Sequence, residues 1–359
     1  MQRRDRFTNP YWIGLIDPKQ YLMLLAAGLG GAAGWWLNIP APWLCGAMAA
    51  TILIAITGKG APLVRPINDL AMLSSGLTLG SAVTPETLRT FVTVPFSILG
   101  LFVTSLIVMI VTSSVLIRYS GWERRDAVLA ATPGALSSVM AVAVEEGANI
   151  PRIAIVQLFR LVMLVAVLPS VMVLAGMSMT LPTATQTPIT LFNLSVILVI
   201  GLGSGMALKA LKMSAPFILG PMLSIGLLRG MEIFPGQYPI ELSTAGFVLI
   251  GALIGARFQG MRMREIIAIG PAALLSFFVA TSLGFLGAIL ISKLVGLPLP
   301  SALMAFAPGG LEAMTALAFA LRIDPVIVGV HHIARFTLIG IGLPLALKIR
   351  PSLIRGPSL

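Results

Sequence analysis

The sequence predicts an all-α polytopic membrane protein with two homologous halves of about six elements each. The halves read as inverted repeats, each with a Pro-Gly broken or re-entrant helix. Two observations predict this architecture. The chain is 57% hydrophobic and only 10% charged, with a mean hydropathy of +0.98, whereas about a quarter of a soluble domain is charged. One stretch also occurs twice, 175 residues apart: Pro133-Gly134 leads through Arg160 to Pro169, and Pro308-Gly309-Gly310 through Arg335 to Pro344. Eight of the 37 aligned positions are identical, and Pro-Gly, Arg and Pro are matches an apolar composition does not supply.

The elements follow in order. Residues 1–20 form a polar, basic segment, and the apolar run from Tyr21 to Leu37 reads as a first membrane helix, not a cleaved leader, because the chain stays apolar after it. Further apolar segments lie at roughly 42–57, 68–84, 92–118, 126–147 and 152–177, completing a first repeat over 21–178. A polar, uncharged linker spans 179–189. The second repeat, 190–350, places segments at roughly 190–210, 215–230, 242–258, 266–295, 300–321 and 325–348, before a tail at 351–359. Gly76-x-x-x-Gly80 and Gly251-x-x-x-Gly255 keep the same offset and read as helix-packing motifs.

Lys and Arg in the short loops set orientation, and this placement, not nucleic-acid binding, accounts for the +11 formal charge. If every element crosses, the positive loop residues divide 14 inside to 8 outside. If each Pro-Gly element enters and returns on one side, the halves invert and the division becomes 18 to 4, with both termini cytoplasmic and the linker outside. A broken helix that crosses is the competing arrangement. Inverted repeats with paired discontinuous helices are the architecture of secondary transporters. Irregular backbone at membrane depth must be buried in protein or line a cavity, and its unpaired groups can bind ions.

The candidate substrate-binding residues are Pro133, Gly134, Ser137, Ser138, Gln157, Arg160, Pro308, Gly309, Gly310, Glu312, His332 and Arg335. An arginine inside an apolar segment costs ~2.5–3.5 kcal/mol and calls for a partner or a cavity, with snorkelling to an interface as the alternative. Gln157 and His332 each precede their arginine by three residues and share its helical face. Glu312 is either a structural partner of Arg335 or a proton carrier, and His332 is a candidate proton carrier. The single cysteine, Cys45, excludes an internal disulfide and a cysteine metal cluster, and the adjacent His331 and His332 make a poor chelating pair.

The stretches A-T-P-G-A-L-S-S (131–138) and A-P-G-G-L-E-A-M (307–314), with His331-His332-x-x-Arg335, resemble the membrane AbrB family, a duplicated bacterial inner-membrane protein, over nearly the whole chain. The first half departs from the second, with Ala135 facing Gly310 and Gln157 facing His332. Members are labelled ammonia monooxygenase or regulator, and the name is shared with a soluble DNA-binding regulator of compact β fold that this chain does not resemble. The Pro-Gly-Gly element is also similar to the broken helix of bile-acid-type and cation/proton antiporter folds, an analogy of fold alone.

The expectation is therefore a multi-pass bacterial inner-membrane protein acting as a secondary transporter of a small anionic organic solute. Its expected partners are that substrate, a coupling ion (proton or sodium) and membrane lipid, with a homodimer left open. No nucleic acid, cofactor, metal or catalytic residue is expected, and monooxygenase chemistry finds no ligand set. The alternative is a membrane-embedded regulator or sensor.

Overall fold

A computed structural model describes residues 17–85, 94–134, 136–177, 189–211, 213, 215–233 and 238–349. The first 16 residues, most of the 179–189 linker, the 351–359 tail and Ala135 lie outside the described residues. Among those described, every regular element is α-helical. The helices are α1 (Pro18–Trp36), α2 (Pro42–Ile56), α3 (Arg65–Ser81), α4 (Val94–Ser120), α5 (Arg124–Ala131), α6 (Leu136–Glu145), α7 (Ile150–Leu174), α8 (Leu191–Ala210), α9 (Pro216–Gly230), α10 (Ile240–Ala256), α11 (Met263–Val295), α12 (Leu299–Phe306), α13 (Leu311–Ala320) and α14 (Pro325–Ile349). Four of them, α4, α7, α8 and α11, are long and apolar enough to cross a membrane, which fits a membrane protein. Each segment expected around a Pro-Gly pair is split in two, so seven helices stand where six elements were read. Proline at 133 or 308 has no N–H to give the carbonyl four residues back and disfavours helical backbone at the residue before it; Thr132 (ψ 117°) and Ala307 (ψ 132°) are both extended.

The chain forms two compact units, and neither coincides with a sequence half. One unit takes 1–81 and 184–260, hence α1–α3 and α8–α10; the other takes 82–183 and 261–359, hence α4–α7 and α11–α14.

The first unit is held by small residues at helix crossings. A Cβ on Gly76 of α3 would stand 2.6 Å from the Ile218 carbonyl of α9, and one on Gly251 of α10 would stand 2.8 Å from the Leu44 carbonyl of α2. At these sites backbone meets backbone, and only glycine fits. The helices α2 and α9 open alike, on Ala41 (φ +52°) and Ala215 (φ +50°) followed by proline, the residue tolerated in a first helical turn.

The second unit holds the broken elements. Helix α7 is the most enclosed of the four long helices, 61% of its apolar window being buried against 17% for α8. In the first broken element the chain folds back on itself. The Arg125 guanidinium at the start of α5 donates to the Glu146 carbonyl just past α6 (2.7 Å), and the Asn149 amide before α7 donates to the Asp126 carboxylate (3.1 Å). The start of α5, the end of α6 and the start of α7 therefore share one end, and α5–α6 is a hairpin with its break at the tip. In the second element, α12 runs alongside α14 in the same direction, Met304 beside His332 and Ala307 beside Arg335. Because α13 ends only five residues before α14 begins, α12–α13 is also a hairpin. Arms of 8 and 10 residues reach ~12 and ~15 Å, about half of a ~30 Å hydrocarbon layer.

Candidate functional site

The site grows from an unmet need at the hairpin tips. A helix leaves its last four carbonyls without intrahelical partners and carries a partial negative charge at that end. Here α5 and α12 end inside the second unit, so polar side chains on α7 and α14 supply the missing donors. Gln157 Nε2 donates to the Leu129 carbonyl of α5 (2.9 Å), and His332 Nε2 donates to the Met304 carbonyl of α12 (3.2 Å). One turn further on, Arg160 Nη2 donates to the Thr132 carbonyl (3.3 Å) and Arg335 Nη1 to the Ala307 carbonyl (2.9 Å). All four bonds span 28 residues.

Arg335 goes further than Arg160. Its Nη2 donates to the Gly309 carbonyl (3.0 Å) and to His332 Nδ1 (2.6 Å). A guanidinium only donates, so His332 Nδ1 accepts and the ring is neutral, with its proton on Nε2. His331 adopts the opposite tautomer: its Nδ1 donates to the Ile327 carbonyl (2.7 Å), and its Nε2 shares a 2.7 Å hydrogen bond with the Ser97 hydroxyl of α4.

Both arginines are buried, Arg160 at 3% and Arg335 at 2% exposure. Each lies ten residues into a 25-residue helix, ~15 Å along it, and turns inward to a break instead of snorkelling. Among the described residues none of their hydrogen bonds goes to a carboxylate, and the helix C-termini lie where a countercharge is needed. Arg160 Nε and Nη1 and Arg335 Nε are buried without a hydrogen-bond partner among the described residues.

The two breaks also exchange neighbours. A Cβ on Gly134 would stand 3.2 Å from Ile339 of α14, and one on Gly309 would stand 3.4 Å from Leu164 of α7. Each break thus rests on the arginine helix of the other half, one turn beyond the arginine and on the same face. Ser138 on α6 faces Gly340 on α14, a Cβ there lying 3.5 Å from its hydroxyl.

Of the residues singled out in the sequence, the structure brings Pro133, Gly134, Gln157, Arg160, Ser138, Pro308, Gly309, Gly310, His332 and Arg335 to these two tips. The side chain of Ser137 lies outside the described residues. Glu312 sits in the first turn of α13, half-buried, where an acid suits the helix dipole; the hydrogen bonds of Arg335 do not include it. The residues missed are Leu129, Thr132, Met304 and Ala307, which act through main-chain carbonyls, and Ser97.

These features define a class: a protein helical throughout its described residues, with four helices long and apolar enough to cross a membrane, built around two broken hairpins whose tips are capped by buried cations. The chain belongs to the family whose model is described as "Transition state regulatory protein AbrB", which matches residues 43–350. It is 26% identical to "Uncharacterized protein YhjN" of Bacillus subtilis (strain 168), over 94% of this chain and 92% of that protein. It is 23% identical to "Putative regulator AbrB" of Escherichia coli (strain K12), over 81% of this chain and 85% of that protein.

Proposed function

We propose that the chain is a secondary transporter of a small anionic organic solute, coupled to a proton or another ion and seated in a bacterial inner membrane. The observation that carries this reading is the pair of buried guanidiniums at two helix breaks, neither bonded to a carboxylate among the described residues. A protein that keeps two such cations at mid-depth has a place for an anion.

The inverted duplication belongs to the same proposal. Helices α5–α7 and α12–α14 begin and end 175 residues apart at every boundary. The crosswise contacts Gly134 with Ile339 and Gly309 with Leu164, and likewise Gly76 with Ile218 and Gly251 with Leu44, have the reciprocal form that a two-fold relation generates. Re-entrant hairpins account for the 18-to-4 charge division, giving ten crossings, with the hairpins opening on opposite sides. We assign no enzymatic step, cofactor or metal.

The regulator reading is favoured by the family description and by the name of the Escherichia coli relative. Four helices long and apolar enough to cross a membrane would place such a regulatory effect at the membrane.

Uptake by proteoliposomes of a panel of labelled organic acids tests the function. Saturable accumulation of one of them, driven by an imposed proton gradient and lost in Arg160→Gln, is the expected result; a panel-wide failure in folded protein favours the regulator. Topology is tested by Thr185→Cys, since Cys45, the native cysteine, is buried. Labelling from outside the cell is expected, and labelling only from the cytoplasm would sink the inverted arrangement.

A further inference from the structure

The two arginines are unequal. Arg335 gives three hydrogen bonds, to Ala307, Gly309 and His332. Among the described residues Arg160 gives one, at 3.3 Å, and its Nε and Nη1 are buried without a hydrogen-bond partner. A buried donor without a partner costs its full desolvation penalty, and more when charged. The first site therefore lacks an acceptor that the second site has.

The ground around Arg160 points to that acceptor's nature. Leu164 shares its helical face and touches Gly309, while Leu161 lies 3.5 Å from where a Cβ on Gly310 would stand. Gly310 is the N-cap of the ten-residue α13 and offers no side chain to its first amides. Arg160 thus lies on α7 beside the positive end of a half-helix, where oriented N–H groups favour an anion. Glu312 in the first turn of α13 opposes part of that charge, which suits a single ligand carboxylate better than a dianion.

We propose that Arg160, not Arg335, receives the anion: a small monocarboxylate held between the Arg160 guanidinium and the N-terminus of α13. Arg335 is the positioning residue that keeps the second break folded. The assignment rests on the anion-transport reading and deepens it.

The test uses purified full-length protein and thermal unfolding, titrated with choline acetate, butyrate, benzoate and succinate against choline chloride. A wild-type midpoint raised by a monocarboxylate is expected. Arg160→Gln should raise the half-saturating concentration about tenfold or more, since a charge-assisted hydrogen bond is worth ~1.5–3 kcal/mol. Its midpoint without carboxylate should equal or exceed that of wild type, because an unpaired buried charge is gone. Arg335→Gln should lower the midpoint without carboxylate and leave the half-saturating concentration of the folded protein within about threefold. Glu312→Gln should tighten binding, as a competing carboxylate is removed. Retained affinity in Arg160→Gln, or a loss of its ligand-free stability matching Arg335→Gln, would overturn the assignment while leaving the transporter standing. Weaker binding in Glu312→Gln would remove the ligand from α13. Indifference of the wild type to all four salts overturns the anion reading itself.

Discussion

The first-half site, Gln157 and Arg160 over the tip of α5, and the second-half site, His332 and Arg335 over the tip of α12, are the same device at different degrees of completion. Both cap a last-turn carbonyl with the residue three before the arginine, and both send the arginine to the carbonyl that ends the half-helix. In the second half the guanidinium also closes on Gly309 and on the imidazole. Among the described residues of the first half, Arg160 makes no counterpart of those two bonds. One Arg335 nitrogen, Nε, lacks a partner among the described residues against two of Arg160, Nε and Nη1, and the proposed anion site at Arg160 rests on that difference. Two sites of common geometry thus differ in the number of acceptors each arginine is given, and the proposed division into a scaffold and a receptor stands or falls on that difference.

The largest effect that would break this comparison is at Arg335. Arg335→Met removes one donor group from three acceptors at once, two carbonyls of the break and His332 Nδ1. At ~1–3 kcal/mol for each buried acceptor left bare, the loss should be ~3 kcal/mol or more. It is read as a large fall in the unfolding midpoint in detergent. Arg160→Met strands one carbonyl and removes an unpaired charge, so the midpoint should move little or rise. Equal falls in the two variants would make the two sites equivalent.

Smaller effects follow from the capping residues. Gln157→Ala should cost ~1 kcal/mol, leaving the Leu129 carbonyl unpaired. His332→Ala should cost more, because it strands the Met304 carbonyl and also takes an acceptor from Arg335. His332→Gln, which copies the first half, should restore most of that loss. It also decides the imidazole's role. The Nδ1 lone pair that would take a proton is occupied by the Arg335 N–H, so His332 is a cap and His332→Gln should leave the pH profile of uptake unchanged. A shifted profile in a variant of normal stability would make His332 the proton carrier.

Much of the site was legible because its parts are residue types that an apolar chain rarely contains. Pro-Gly and Pro-Gly-Gly marked the breaks, the 175-residue offset paired them, and charge inside apolar segments marked Arg160 and Arg335. The partners of those charges were not legible. A search for countercharge in the sequence finds Glu312, yet the acceptors are carbonyls of Thr132, Ala307 and Gly309, and every residue has a carbonyl. Capping was concealed for the same reason: which carbonyls lack partners depends on where a helix stops, and boundaries are the least certain feature of a sequence reading. The interleaving of the halves was hidden too, because a compact unit is defined by contacts across long separations. Its trace in the sequence was the pair of small-residue motifs, which identify a close crossing but not the helix crossed.

The smallest expected effect is none, and it bears on the coupling ion. Broken helices in secondary transporters offer unwound carbonyls and half-helix C-termini to sodium. Here a guanidinium nitrogen sits on those carbonyls, at 2.9 and 3.0 Å in the second break and 3.3 Å in the first. A sodium ion there would have to displace a tethered cation and remain beside its charge. Replacing sodium by choline should therefore change neither the unfolding midpoint nor carboxylate affinity in the wild type, which under the proposed transport function favours protons as the coupling ion. Removing the tether separates the two sites again. Arg335→Gln frees the carbonyls of Ala307 and Gly309 together and should acquire stabilisation by millimolar sodium, measured against choline at equal ionic strength. Arg160→Gln frees the Thr132 carbonyl alone, too few ligands for a cation that prefers several oxygens, and should stay indifferent. Sodium-dependent stabilisation of the wild type would mean that the arginines do not fill the places where the half-helices meet a cation.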